Sequence, residues 1–210
     1  MGANRRLYEN YRLPGRVHYL EWEYVAGLKT LGDYARHLAQ KINTQNNIIV
    51  GSSMGGMMAV ELSKIIRPSL TVLISAPTGR QQFPRSLKLL DFIGLHRALS
   101  PASLFKLTQL CDTFMGFKRE EQRAMFYEMM HSNGPDFLHF SVKAVLGWKN
   151  FTAPEGPFIQ IIGDEDRLFD IQKIPGAIAL KGSGHFSTYE KSDEIGSIII
   201  AEINKRFHSL

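Results

Sequence analysis

The sequence predicts an α/β protein with a mostly parallel sheet of about five strands, flanked by helices and carrying a helical insertion after the third strand. Three observations lead to this prediction. Short β-branched runs alternate with segments of helical periodicity, the pattern of parallel strands joined by helices. A glycine-bounded turn around Ser53 connects one such strand to one such helix. Finally, residues 78–150 contain no convincing strand pattern.

Runs rich in Val, Ile, Leu and aromatic residues mark the predicted strands, which cover residues 16–25, 48–52, 70–75, 158–162 and 177–180. Thr30 and Asp33 have the spacing of a capping box, which predicts a helix start. The other predicted helices cover residues 5–11, 54–66, 83–99, 101–115, 118–131, 136–148 and 193–207. We expect residues 1–77 and 151–210 to form the core and residues 78–150 to form a helical cap inserted into it.

Composition excludes several classes of protein. No apolar run approaches the roughly 20 residues that span a bilayer, and the charged N-terminus lacks the apolar segment of a secretory signal. The single cysteine, Cys111, permits no internal disulfide, which fits a cytoplasmic protein. The net charge of +5 is spread along the chain, so we expect a solvated basic surface and neither nucleic acid nor a membrane as a partner.

The turn around Ser53 has the pattern G-x-S-x-G, in which a strained strand-to-helix turn exposes a serine hydroxyl at the end of a sheet. Ser53 is therefore the candidate nucleophile. We expect glycine at Gly51 and Gly55 because a Cβ at either position would collide where strand and helix fold back on each other. An ordinary strand-to-helix turn is the alternative.

A serine nucleophile needs a histidine to take its proton and a carboxylate to orient that histidine. Of the seven histidines, His185 alone follows a predicted strand on a glycine-bounded loop. Reactive groups of parallel sheets lie at the carboxyl ends of the strands, so His185 is the candidate base. The strand over residues 158–162 is followed by four candidate acids, and spacing alone does not choose among Asp164, Glu165, Asp166 and Asp170.

The order Ser53, Asp166, His185, each on a strand-end loop, with a helical insertion after the strand that follows the elbow, resembles the α/β-hydrolase superfamily and its small lidded members. The resemblance covers essentially the whole chain. It implies Asp166 as the acid, with Asp164 as the main rival, because the family's acid usually stands three residues after a glycine such as Gly163. It also implies an oxyanion hole from the backbone N–H groups of Met54 and of the loop at residues 1–4, which includes Gly2.

The resemblance implies a serine hydrolase that cleaves a small, largely apolar carboxylic ester or thioester through an acyl-enzyme. Acyl transfer or C–C bond hydrolysis on the same residues, and a non-catalytic binding module, are the alternatives. No motif indicates a cofactor or a metal. The apolar surplus of the helical insertion, with Phe114 and Phe126 as representatives, is expected either to line a pocket over Ser53 or to pack on itself.

The chain departs from the family pattern at its start. In the family's sheet, one more strand lies between the strand matching residues 16–25 and the elbow strand, and no residues here match it. One hypothesis is that the natural product begins upstream of Met1 and supplies that strand. The other is that residues 16–25 pair directly with residues 48–52 and leave the oxyanion hole incomplete.

Overall fold

In the computed structural model, which describes residues 4–94, 100, 101, 103 and 112–207, four parallel strands form one sheet in the order β1-β2-β3-β4. The strands are β1 (Ile48–Ser52), β2 (Leu70–Ile74), β3 (Phe158–Gly163) and β4 (Ile178–Leu180). Gly51 is paired with Leu73, Ile74 with Ile161 and Gly163 with Leu180, so the carboxyl ends of all four strands meet at one edge. The predicted fold class is confirmed.

The described helices flank the sheet or lie between β2 and β3. They are α1 (Leu31–Ala39), α2 (Met54–Ile66), α3 (Arg85–Ile93), α4 (Asp112–Met115), α5 (Glu120–Ser132), α6 (Gly134–Leu146), α7 (Ser187–Glu190) and α8 (Ser192–Phe207). Short 3₁₀ turns occur at Arg5–Tyr8, Arg80–Gln82 and Ile171–Lys173. Most of the helix predicted over residues 101–115 lies outside the described residues, as does Cys111. None of the described helices has the length and apolar character to cross a membrane.

Strand β2 is buried on both faces, which explains its continuous apolar sequence. Leu70, Val72 and Ile74 point to one face, where they pack against Ile195 and Ile199 of α8. Leu73 points to the other face and joins the core formed with α1, α2 and α6. The sheet therefore lies between α8 on one side and a larger helical layer on the other.

Residues 16–25 do not form the predicted strand, and they pair with no strand of the described sheet. The reason lies in α1: the Tyr34 hydroxyl accepts a hydrogen bond from the Glu23 backbone N–H (2.9 Å) and donates one to the Glu23 carbonyl (2.8 Å). Trp22 packs on Tyr34 with ring centroids 5.4 Å apart. A side chain thus satisfies backbone groups that a strand would have used, and Val17 and Tyr24 remain 50% and 55% exposed.

Direct pairing of residues 16–25 with the elbow strand is therefore wrong, and the described sheet has four strands instead of five. Strand β1 forms one edge of that sheet, with β2 as its neighbour. The existence of a further strand upstream of Met1 stays a prediction.

Candidate active site

The turn between β1 and α2 holds Ser53 in an unusual backbone conformation. Its φ is 53° and its ψ is −119°, in a region that non-glycine residues rarely adopt. The strand continues into the turn, because the Ser53 N–H still donates to the Ile74 carbonyl of β2 (2.9 Å). Backbone strain of this kind costs on the order of 1–3 kcal/mol and persists where the surrounding structure enforces it.

The glycine requirement at this turn is confirmed at Gly51 and wrong at Gly55. A Cβ on Gly51 would lie 2.2 Å from the Gly55 carbonyl oxygen, whereas a Cβ on Gly55 would meet nothing within 4 Å. The second crowded glycine is Gly56, where a Cβ would lie 2.3 Å from the Cβ of Ala76. The first turn of α2 therefore packs against both β1 and the end of β2, and Gly55 faces open space.

The acid and histidine loops are held together at the end of β3. A Cβ on Gly163 would lie 2.1 Å from the carbonyl oxygen of Ser183, so only glycine allows the histidine loop to pass this close. The Glu165 N–H donates to the same carbonyl (3.0 Å). This contact brings Asp166 and His185 to the carboxyl edge of the sheet, beside Ser53.

The structure brings the three predicted residues into one hydrogen-bonded chain. His185 Nε2 lies 2.9 Å from Ser53 Oγ. His185 Nδ1 lies 3.0 Å from Asp166 Oδ2 and 3.2 Å from Asp166 Oδ1. With the Nδ1–H donating to the carboxylate, Nε2 has a lone pair to accept the serine proton.

Asp166 is held ionised and oriented by its surroundings. Its Oδ1 accepts hydrogen bonds from the backbone N–H groups of Leu168 (2.8 Å) and Phe169 (3.0 Å). Burial raises the pKa of the Asp166 carboxyl, but the charge and hydrogen bond of His185 and these two N–H groups outweigh it, so the pKa lies below its ordinary value. The Phe169 ring packs on the imidazole with centroids 5.7 Å apart. An ionised, immobile carboxylate is what a proton-shuttling histidine requires.

Among the candidate acids, Asp166 faces His185. Asp164 is exposed and accepts a long hydrogen bond from the Ser183 N–H (3.4 Å). Asp170 caps the following 3₁₀ turn, where its carboxylate accepts from the Gln172 N–H (3.1 Å). Glu165 is exposed, and its Oε2 lies 3.9 Å from Lys118 Nζ. Each rival thus has a partner other than His185.

Of the two predicted oxyanion donors, one can be placed. Met54 is the first residue of α2, so its backbone N–H has no intrahelical acceptor and lies next to Ser53. Gly2 lies outside the described residues.

The two predicted pocket aromatics have different surroundings. Phe126 on α5 packs on Phe117 and on Phe186, the residue after the histidine, with ring centroids 5.3 Å and 6.0 Å apart. Phe114 on α4 is 43% exposed. The helical insertion also contacts the histidine loop directly, because the Phe186 N–H donates to the Met115 carbonyl (3.2 Å).

Sequence reasoning missed the residues that surround this chain of hydrogen bonds. Leu7 of the first 3₁₀ turn is buried against Met129 and Phe186. Hydroxyl groups on Tyr11, Ser52, Ser75, Ser187 and Thr188 bond to one another or to nearby backbone behind the site. The signal in the sequence was the Ser187-Thr188 pair directly after His185-Phe186. Within the described part of the chain, no cluster of His, Cys, Asp or Glu has the arrangement of a metal site.

Comparison with solved structures finds the same fold in several enzymes. A thermophilic esterase from Thermogutta terrifontis is similar with a TM-score of 0.66 and 15% identity, over 92% of this chain and 78% of that one. A carboxylesterase structure from Nitrososphaera gargenis has a TM-score of 0.64 and 16% identity, over 91% and 80%. A mutant of the N-acyl homoserine lactonase AidH with N-hexanoyl homoserine has a TM-score of 0.62 and 12% identity, over 94% and 78%.

No curated protein matches the sequence. A profile of the alpha/beta hydrolase family, however, matches residues 9–196. The predicted resemblance is thereby confirmed. Because this match spans most of the sequence, the chain belongs to the alpha/beta hydrolase family.

Proposed function

We propose that the protein is a serine hydrolase that cleaves a small, largely apolar carboxylic ester or thioester through an acyl-enzyme. The observation that carries this proposal is the hydrogen-bonded chain from Ser53 Oγ through His185 to Asp166, with links of 2.9 and 3.0 Å. The side chains of His185 and Asp166 are almost fully buried, so water does not compete for these bonds.

In the first half of the reaction, Ser53 Oγ attacks the substrate carbonyl carbon while His185 Nε2 takes the hydroxyl proton. The carbonyl oxygen becomes an oxyanion, which the Met54 N–H stabilises. The imidazolium, held by Asp166, then donates its proton to the leaving alcohol or thiol as the bond to that group breaks. In the second half, a water molecule gives a proton to His185 and attacks the acyl carbon. His185 then returns that proton to Ser53 Oγ as the acyl–Oγ bond breaks, which releases the acid and restores the serine hydroxyl.

The preference for an apolar substrate rests on the aromatic cluster beside His185. Phe117 and Phe126, from the helical insertion, pack on Phe186. We propose that the insertion acts as a cap whose apolar side chains bind the acyl chain. The similar structures include an esterase, a carboxylesterase and a lactonase, which are enzymes that act on ester carbonyls. The low cysteine content supports a reducing, cytoplasmic environment.

The test is a panel of p-nitrophenyl esters and acyl thioesters of graded chain length, assayed with wild type and Ser53→Ala. We expect Ser53→Ala to lower kcat by about 10⁶-fold, the scale seen when a triad nucleophile is removed. The matched control is Ser197→Ala, on the exposed face of α8, which should retain full activity. Release of the free acid, instead of an acyl group transferred to an added alcohol, identifies hydrolysis.

A fluorophosphonate probe gives an independent measurement, because an activated serine attacks this electrophile whatever its natural substrate. Mass spectrometry should locate the adduct on Ser53, and His185→Ala should abolish both labelling and turnover. An adduct on another serine, or ester hydrolysis that survives Ser53→Ala, would refute the proposal.

A further inference from the structure

Helix α7, directly after His185 and Phe186, is held by three side-chain hydrogen bonds from separate parts of the chain. The Thr188 hydroxyl donates to Ser52 Oγ over 2.7 Å. Ser187 Oγ lies 3.0 Å from Ser75 Oγ. The Tyr11 hydroxyl donates to the Thr188 carbonyl over 2.8 Å. One turn of helix is therefore attached to the end of β1, to the end of β2 and to the N-terminal segment.

These contacts are shielded from water. Ser75, Ser187 and Thr188 are at most 1% exposed, and Ser52 is 9% exposed. Burial raises the pKa of the Tyr11 hydroxyl, so it remains a protonated donor. A buried hydroxyl that loses its hydrogen-bond partner has lost its contact with water without compensation, which is costly in free energy. Each of these hydrogen-bonded pairs is therefore expected to stay together.

Both anchoring positions lie at strained strand ends. Ser75, which follows β2, has a φ of 44°, and Ser52 is followed by Ser53, which has a φ of 53°. The Ser75 N–H continues the ladder by donating to the Ile161 carbonyl (2.8 Å). Strained residues stay in place only where their neighbours hold them, which makes these strand ends rigid anchoring points.

The Thr188–Ser52 bond has a specific geometric consequence. Ser52 is the neighbour of Ser53, and Thr188 lies three residues after His185. The bond therefore joins the backbone that carries the nucleophile to the backbone that carries the base. A four-residue helix has little stability of its own, so α7 takes its position from these contacts.

We propose that Thr188 is a positioning residue that sets the distance between Ser53 Oγ and His185 Nε2 through its hydrogen bond to Ser52. The Ser187–Ser75 pair and the Tyr11 hydroxyl hold the same helix from two other directions. Thr188 touches no reacting atom, and the proposal rests on the hydrolase function proposed above.

The experiment replaces Thr188 with Val, which keeps the shape and removes the hydroxyl. Since a misplacement of about 1 Å at a reacting pair costs on the order of 100-fold, we expect Thr188→Val to lower kcat by about 10- to 100-fold with KM changed less than about twofold. The rate of fluorophosphonate labelling at Ser53 should fall by the same factor. Thr188→Ser, which keeps the hydroxyl, should retain most of the wild-type kcat and most of the wild-type labelling rate.

Thr71→Val is the matched control. Thr71 is fully buried on β2, and its hydroxyl oxygen makes no hydrogen bond among the described residues. Thr71→Val should therefore leave kcat and the labelling rate unchanged. If Thr188→Val does not fold, Ser187→Ala removes the second contact to the sheet and should lower kcat and the labelling rate in the same direction.

A crystal structure of Thr188→Val provides a readout that does not depend on any substrate. The distance from Ser53 Oγ to His185 Nε2 should lengthen beyond about 3.2 Å, the upper end of the ordinary hydrogen-bond range. If wild type labels and hydrolyses esters while Thr188→Val keeps its kcat and its distance, the positioning role is wrong and the hydrolase function stands. If wild type is neither labelled by the probe nor able to hydrolyse the esters, the proposed function is wrong. An unchanged distance from Ser53 Oγ to His185 Nε2 in the Thr188→Val structure would overturn the positioning role independently of that result.

Discussion

Gly116 of the helical insertion and Gly184 of the histidine loop touch through their backbones. A Cβ on Gly116 would lie 3.3 Å from the Gly184 Cα, and a Cβ on Gly184 would lie 3.2 Å from the Gly116 Cα. The Phe186 N–H donates to the Met115 carbonyl at the same contact. The insertion therefore rests on the loop that carries His185, and its placement affects the histidine.

Gly116→Ala should lower activity by about tenfold, because the added Cβ pushes on the backbone next to His185. Gly134→Ala is the matched control, since Gly134 has a φ of 75° against 68° for Gly116 but has nothing within 4 Å of an added Cβ. Both variants should lose about 1–2 kcal/mol of unfolding free energy from the left-handed backbone. Equal activity in the two variants would show that the glycine contact has no effect on the site.

Asp166→Asn should reduce kcat by about 10⁴-fold, the scale seen when a triad acid loses its charge. The amide cannot act as the ionised acceptor that fixes the His185 tautomer. Asp164→Asn should have little effect, because Asp164 is exposed and bonds to the Ser183 N–H. Steady-state kinetics of the two variants on one ester measure the difference. If Asp164→Asn shows the severe loss of kcat instead, Asp164 is the acid.

The lowered pKa of Asp166 predicts a specific pH dependence of stability. The ionised carboxylate stabilises the fold at pH values above the ordinary Asp value of 3.8, and this contribution is lost as pH falls through that value towards the folded pKa. The difference in unfolding free energy between wild type and Asp166→Asn should therefore shrink on acidification. Urea titrations at pH 7, 5, 4 and 3 measure this difference in unfolding free energy. A difference that does not change with pH would contradict the lowered pKa of Asp166.

Phe114→Ala and Phe126→Ala should have different effects. Phe126 packs against Phe117 and Phe186, so its loss should cost about 2–4 kcal/mol of stability as well as altering acyl-length preference. Phe114 is 43% exposed, so Phe114→Ala should shift acyl-length preference and change stability by less than about 1 kcal/mol. Thermal melts and the ester panel separate the two properties. If both variants lower only the melting temperature, the aromatics are core of the insertion.

Arg80→Ala should destabilise the fold without changing the chemistry. Arg80 Nη1 donates to the carbonyls of Leu146 (2.6 Å) and Trp148 (3.2 Å), and Nη2 pairs with Asp91 (2.6 Å), so one side chain joins the two ends of the helical insertion. The Asp91 side chain is 13% exposed, and breaking a pair this buried costs about 3 kcal/mol.

The control for Arg80→Ala is Arg36→Ala. Arg36 pairs with Asp33 at the same 2.6 Å, but its side chain is 68% exposed. An exposed pair of this kind contributes at most about 1 kcal/mol. Chemical denaturation measures the unfolding free energy of both variants. Equal losses would contradict the role of Arg80 in joining the two ends of the helical insertion.

Local features of the chain were predictable because neighbouring residues specify them. The capping box at Thr30 and Asp33 forms as expected, since its two hydrogen bonds join residues three apart. The strand, turn and helix around Ser53 follow from a β-branched run and two glycines. Gly55 was misassigned because the sequence does not show that Gly56, one position later, faces Ala76.

The sequence by itself determined the fold class, the elbow with Ser53, and His185, because each follows from local pattern and from the rule that parallel strands end at one edge. The same rule left four carboxylates open, and only the family resemblance favoured Asp166, which the folded chain places against His185. Tertiary structure decided that residues 16–25 are not a strand, since Tyr34 takes up the Glu23 backbone groups. It also decided the distance of 2.9 Å between Ser53 and His185, which lie 132 positions apart. Strand pairing and long-range hydrogen bonds depend on which distant surfaces meet in the folded chain, and local pattern carries no information on that.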